Sequence, residues 1–169
     1  RGAMRTITMK FVDAHHDHQW HRVVGEDGPK PDPDPAPQLL LSLEQWHAVR
    51  GHWPAGLATA VEVPNDYAIE ELAGDLPRLS MVALQFPKWT DGRAYSQAHL
   101  LRSRYRFTGE LRAVGEVLVD MLPLLARTGF DAVQLRAGES VEAAKRQLGF
   151  FPEHYQGDVT VTQPHFARA

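Results

Sequence analysis

The residues best placed for chemistry lie in one short stretch. Phe86-Pro87-Lys88-Trp89-Thr90-Asp91-Gly92-Arg93-Ala94-Tyr95-Ser96 follows an apolar run and leads into an amphipathic one. A loop that opens a helix carries free backbone amides suited to an anion. Lys88 and Arg93 add positive charge, and Asp91-Gly92 reads as a tight turn. Lys88, Asp91, Arg93 and Ser96, with Arg112 and Arg136 expected at the same end of the fold, are therefore candidates for an anion site. The alternative is ordinary loop chemistry, with Asp91 or Ser96 capping the helix. A second group, Glu62, Gln85, Glu110, Arg112 and Gln134, falls inside apolar runs that read as strands. A third is His15, His16, His18 and His21, interleaved with Asp13 and Asp17. Imidazole suits zinc, copper or nickel. The spacing matches no metal motif, so adventitious binding is the expected behaviour and no metal site is assigned.

The elements that must position these residues follow from periodicity. Met4 to Val12 alternates loosely and allows an early strand. Prolines at 29, 31, 33, 35 and 37 exclude helix and central strand from 26–38, which reads as an extended, exposed connector. Residues 1–38 form an N-terminal segment and 39–169 a single α/β domain. Ser42 and Gln45 make a capping box for a helix over 43–50 that stops at Gly51. Strands are expected at 57–63, 79–86, 110–114 and 130–135, and helices at 67–73, 95–106, 116–128 and 141–148. The last 18 residues read as an irregular or strand-containing tail. Pro123 falls inside the third of these helices, where it should kink it or cost about 3 kcal/mol. Four strand–helix repeats predict a mainly parallel sheet with right-handed crossovers, half of a TIM-type barrel. The alternative is a small doubly wound sheet.

Side chains alternate along a strand. Thr59, Val61, Val63, Val82, Leu84, Phe86, Leu111, Ala113, Val133 and Leu135 form the face expected against the helices. The opposite face carries Ala58, Ala60, Met81, Ala83, Val114, Phe130 and Ala132 together with the five polar residues named above. A buried, unpaired Arg112 would be very costly. This face is therefore a barrel-like interior, a site or an interface. Otherwise it is solvated, or covered by the N-terminal segment with an ion pair. Glu62 or Glu110 is placed to neutralise Arg112.

Composition narrows the classes. The chain has 169 residues, a formal charge of −3 and no cysteine. That size suits one domain able to bury roughly 70% of its unfolded surface. Zero cysteine removes disulfides, thiolate nucleophiles and cysteine-bound iron–sulfur clusters. The mild negative charge argues against nucleic-acid binding. No apolar run is long enough to cross a membrane, and the N-terminal residues lack the apolar core of a signal peptide. A soluble cytoplasmic protein is expected. No dinucleotide fingerprint, phosphate-binding loop or nucleophile elbow is present, and no cofactor is assigned. Arg102, Arg104 and Arg106 give the second helix a basic edge, either solvated or available to an acidic partner.

The stretch from Phe86 through Asp91-Gly92-Arg93, Tyr95 and Ser96, then Leu100-Leu101-Arg102, then Gly109-Glu110-Leu111-Arg112-Ala113-Val114-Gly115, then Gly129-Phe130-Asp131-Ala132 resembles a bacterial family of unknown function, DUF934. The likeness spans about residues 39–155. It implies a gene context beside the siroheme sulfite or nitrite reductase of assimilatory sulfur metabolism, and hence an accessory protein that binds the reductase hemoprotein or a small anion. Two other readings compete. One is a small barrel-type lyase or hydrolase with Glu62 or Glu110 as base and Arg112 stabilising an anion. The other is an assembly module whose polar face is a homodimer interface.

Overall fold

The structure, a computed structural model, describes residues 4–13, 17–147 and 159–166. The chain order is β1 (Met4–Phe11), β2 (His21–Arg22), β3 (Val24–Gly25), β4 (Gly28–Pro29), β5 (Leu39–Ser42), α1 (Leu43–Val49), β6 (Thr59–Val63), β7 (Met81–Phe86), α2 (Arg93–His99), β8 (Glu110–Gly115), α3 (Leu122–Thr128), β9 (Ala132–Val133), α4 (Val141–Gln147) and β10 (Val159–Phe166). The main sheet runs β10-β1-β9-β8-β7-β6-β5-β2. Seven of its strands are parallel and curl into a half-barrel, and β10 joins antiparallel to β1. The five strands β5 to β9 are neighbours in chain order, which the doubly wound alternative does not allow. Residues 4–11 lie in the same sheet, with Lys10 opposite Ala132 and Phe11 opposite Val133.

Local chemistry explains the elements. Ser42 Oγ accepts from the Gln45 amide at 3.1 Å and Gln45 Oε1 accepts from the Ser42 amide at 2.9 Å, closing the capping box that starts α1. The expected helix at 67–73 is instead a 3₁₀ segment over Ile69–Arg78. Gly74 disfavours a helix, and Pro77 cannot donate to an α-helical ladder. The expected helix at 116–128 starts late, and Pro123 sits in the first turn of α3 rather than its interior. No helical amide is needed there, so the kink and its cost do not arise. The strand expected at 130–135 shrinks to Ala132–Val133, because the Phe130 amide still bonds Leu125 O at 3.1 Å as α3 ends. Phe130 accordingly leaves the polar face and packs 6.0 Å from Phe86 in the main core. Gly149, the expected stop of the last helix, lies outside the described residues.

Two cores result. Val61, Val63, Val82, Leu84, Phe86, Leu111, Ala113 and Val133 face outward and are buried against the helices, with Leu72, Leu101 and Leu125. The inward, concave face holds a smaller cluster of Leu40, Ala60, Met81, Ala83 and Val114, covered by Trp20 from the N-terminal segment. No helix among the described residues is long and apolar enough to cross a membrane.

Candidate functional site

The concave face begins with strand register. Ala83, Arg112 and Ala132 stand side by side on β7, β8 and β9, so two alanines flank the one long side chain. Arg112 is 1% exposed. Its Nη1 donates to Asp17 Oδ2 at 2.7 Å, and its Nε and Nη2 donate to Glu110 Oε2 at 3.3 and 3.2 Å. Lys10 Nζ lies 3.2 Å from Glu110 Oε1 and also donates to Gln19 Oε1. Two cations thus meet two carboxylates, and the quartet is neutral. Asp17 is shaped for this role by its own turn, since Oδ1 accepts from the Gln19 and Trp20 amides at 3.0 and 3.1 Å. Burial pushes the Asp17 carboxyl up. The Arg112 bond and charge and the two amides pull it further down, so its net shift is below the usual carboxylate range. Of the carboxylates expected to neutralise Arg112, Glu110 does so and Glu62 does not. The other partner is Asp17, so the N-terminal segment covers this face with an ion pair, as one of the alternatives expects, although the sequence does not mark which residue makes it.

Glu62 belongs to a separate polar group near the carboxyl ends of the strands. It is paired with Arg22 of β2, and its Oε2 accepts from Gln85 Nε2 at 2.6 Å. A depression of about 240 Å³ is lined by Arg22, Glu62, Gln85, Val114 and Gln134, which brings together three of the expected polar-face residues. Glu62 and Gln85 also line a cavity of about 530 Å³ under Pro29, Pro31 and the start of α1. This is the end of an α/β barrel where ligands bind. Arg22 could not be found from the sequence, because β2 is two residues long and has no periodicity.

The loop after β7 closes on itself. Asp91 and Arg93 form a fork: Arg93 Nε donates to Oδ1 and Oδ2 at 3.1 and 3.2 Å, and Nη2 donates to Oδ2 at 2.8 Å. The Arg93 amide also donates to Asp91 Oδ1 at 3.1 Å, so Asp91 performs the cap-like role. The Arg93 guanidinium holds the Asp91 carboxyl well below the usual carboxylate range. Lys88, Trp89 and Ser96 are exposed. The structure does not gather Arg112 or Arg136 into this loop, since Arg112 is spent on Asp17 and Glu110, and Arg136 on Glu116 at 3.1 Å.

The expected basic edge is also altered. Arg104 and Arg106 are exposed, but Arg102 is an internal clamp. Its Nε donates to Gly129 O at 3.0 Å, its Nη1 to Phe107 O and Gly109 O at 2.7 Å each, and its Nη2 to Asp131 Oδ2 at 2.5 Å. Asp131 Oδ2 in turn accepts from the Leu111 amide at 2.9 Å. Three of the quoted sequence motifs therefore meet at one side chain. Gly115 has φ +99°, and a Cβ there would stand 2.5 Å from Phe86 O, so this motif glycine is a backbone requirement.

His15 and His16 lie outside the described residues. His18 and His21 are exposed, and among the described residues no three histidine or carboxylate side chains gather as a metal site. The shifted carboxylates, Asp17 and Asp91, are both lowered toward the charged form, the opposite of an acid held protonated for catalysis. The model of the family described as "Bacterial protein of unknown function (DUF934)" matches residues 60–166. No curated protein matches the sequence.

Proposed function

We propose that this chain, which belongs to the DUF934 family, is a non-catalytic accessory protein of assimilatory sulfite reduction that docks on the sulfite or nitrite reductase hemoprotein in the cytoplasm. The observation that carries the non-catalytic part is the fate of the motif arginines. Arg93, Arg102 and Arg112 each engage a carboxylate of the same chain, so none of these three motif arginines is left as a free cation. The docking part is supported by Trp89, which is 57% exposed beside Lys88 on the loop after β7. Aromatic side chains of this kind are frequent anchors at protein interfaces. The choice of the reductase as partner comes from the gene context implied by the family resemblance. A homodimer belongs to the same proposal, because the curled sheet does not close and ends in two edge strands, β10 and β2, that a second copy can cover.

The test is sulfite reduction by the purified hemoprotein with and without an equimolar amount of this chain. A changed turnover or electron input supports the accessory role, and unchanged turnover together with no complex removes it. A second reading, a barrel-type lyase or hydrolase, is favoured by one observation: Glu62 lines the cavity at the carboxyl ends of β5 to β7. It requires an activity in the isolated protein that Glu62→Gln abolishes without loss of folding.

A further inference from the structure

The concave face is closed by a short piece of the chain itself. Residues 17–22 cross it, and this strap supplies one acceptor to each of two cations: Asp17 to Arg112 and Gln19 to Lys10. Lys10 and Arg112 lie on β1 and β8, either side of Ala132 on β9. The flanking residues on the inward face, Ala83 and Ala132, are small. Without the strap, the face would hold a fixed guanidinium and an ammonium across a floor of alanines, with Glu110 as their remaining carboxylate. The charge count is then two positive against one negative, so one negative charge is missing.

We propose that Asp17 is an internal stand-in for a ligand, and that Arg112 and Lys10 form a masked site for a small monoanionic oxyanion, a carboxylate or an inorganic one, which displaces the strap. A monoanion restores the neutral count. A dianion would leave an excess negative charge in a buried place, which is costly. The hold on the strap is limited. Its Trp20 ring is buried among Leu40, Ala60, Met81, Ala83 and Val114, yet its indole N–H has no acceptor among the described residues. A buried donor left unsatisfied weakens the closed arrangement. The strap continues into β2, two residues at the sheet edge, and its Arg22–Glu62 pair is half exposed on the arginine side. The proposal concerns the isolated protein and stands or falls independently of any reductase.

The experiment is amide hydrogen exchange of the full chain at matched ionic strength, with formate as the carboxylate probe, nitrate as the inorganic monoanion and sulfate as the dianion. Formate, nitrate or both should speed exchange at Gln19 and Trp20, whose amides bond Asp17, while sulfate should not. The probe that acts distinguishes a carboxylate site from an inorganic one. Asp17→Ala, which removes the competing carboxylate, should bind the active probe at least about tenfold more tightly than wild type. Exchange unmoved by both monoanions, or moved equally by sulfate, overturns the proposal. The wild-type measurement decides even if Asp17→Ala does not fold.

Discussion

Replacing Arg102 by alanine tests whether the motif arginine is a clamp or a docking residue. The guanidinium donates to Gly129 O at 3.0 Å and to Phe107 O and Gly109 O at 2.7 Å, and pairs with Asp131. The Asp131 side chain is 51% exposed, and an exposed ion pair contributes about 0–1 kcal/mol. The three carbonyls set the magnitude. Hydrogen bonds to charged groups contribute about 1.5–3 kcal/mol each, and the partial exposure of Arg102 argues for values at or below the lower end. Arg102→Ala should therefore cost about 3–4 kcal/mol. Asp131→Asn, which keeps an acceptor for the Leu111 amide, should cost about 1 kcal/mol or less. Urea unfolding followed by far-ultraviolet circular dichroism measures both, provided the slope with denaturant is unchanged. A loss below about 1 kcal/mol for Arg102→Ala, or equal losses for the two variants, would refute the clamp.

Three further outcomes follow from the same structure. Gly115→Ala places a Cβ against Phe86 O at a φ of +99°, and should lower stability by about 2–4 kcal/mol in a thermal melt; a neutral result would mean that β7 and β8 pair differently there. Pro123→Ala should change stability by less than about 1 kcal/mol, because the proline occupies the first turn of α3; a gain near 3 kcal/mol is the signature of an interior proline. The folded-state pKa of Asp17 lies below its unfolded value, so the stability from its ionised form is present above the ordinary carboxylate pKa and lost as pH falls through the folded one. Asp17→Asn should consequently flatten the acid limb of the stability profile and leave its slope near neutrality unchanged; an unaltered acid limb counts against the Asp17–Arg112 pair.

Alternation made the outward face legible, because strand sterics send successive side chains to opposite sides and the helices must cover an apolar one. It also placed Arg112 and Glu110 on the inward face. The partner Asp17 was beyond reach, since it contacts Arg112 across 95 positions from an irregular turn that leaves no periodic trace. The Arg102 clamp was hidden for a different reason. After α2 the chain makes a π-helical turn over Leu100–Arg104, with the Tyr105 amide bonding Leu100 O at 3.0 Å. The acceptors of Arg102 are carbonyls of Phe107, Gly109 and Gly129 outside this helix, which no residue pattern marks, so Arg102 reads with Arg104 and Arg106 as one basic edge. The capping box of α1 was readable because its chemistry is local. The Asp91–Arg93 fork is equally local. It reads as a cationic loop because charge in a sequence does not say whether it is already matched.

The proposed docking on the reductase runs through the loop that carries Trp89. The most direct test is the affinity of wild type and Trp89→Ala for the purified reductase hemoprotein, read by light scattering and titration calorimetry. Trp89 is exposed and makes no part of the core, so the variant should fold as wild type does. Wild type should form a complex, weakened at least about tenfold by Trp89→Ala with no change in melting temperature. Absence of any complex, or a complex indifferent to this substitution, would contradict docking through this loop.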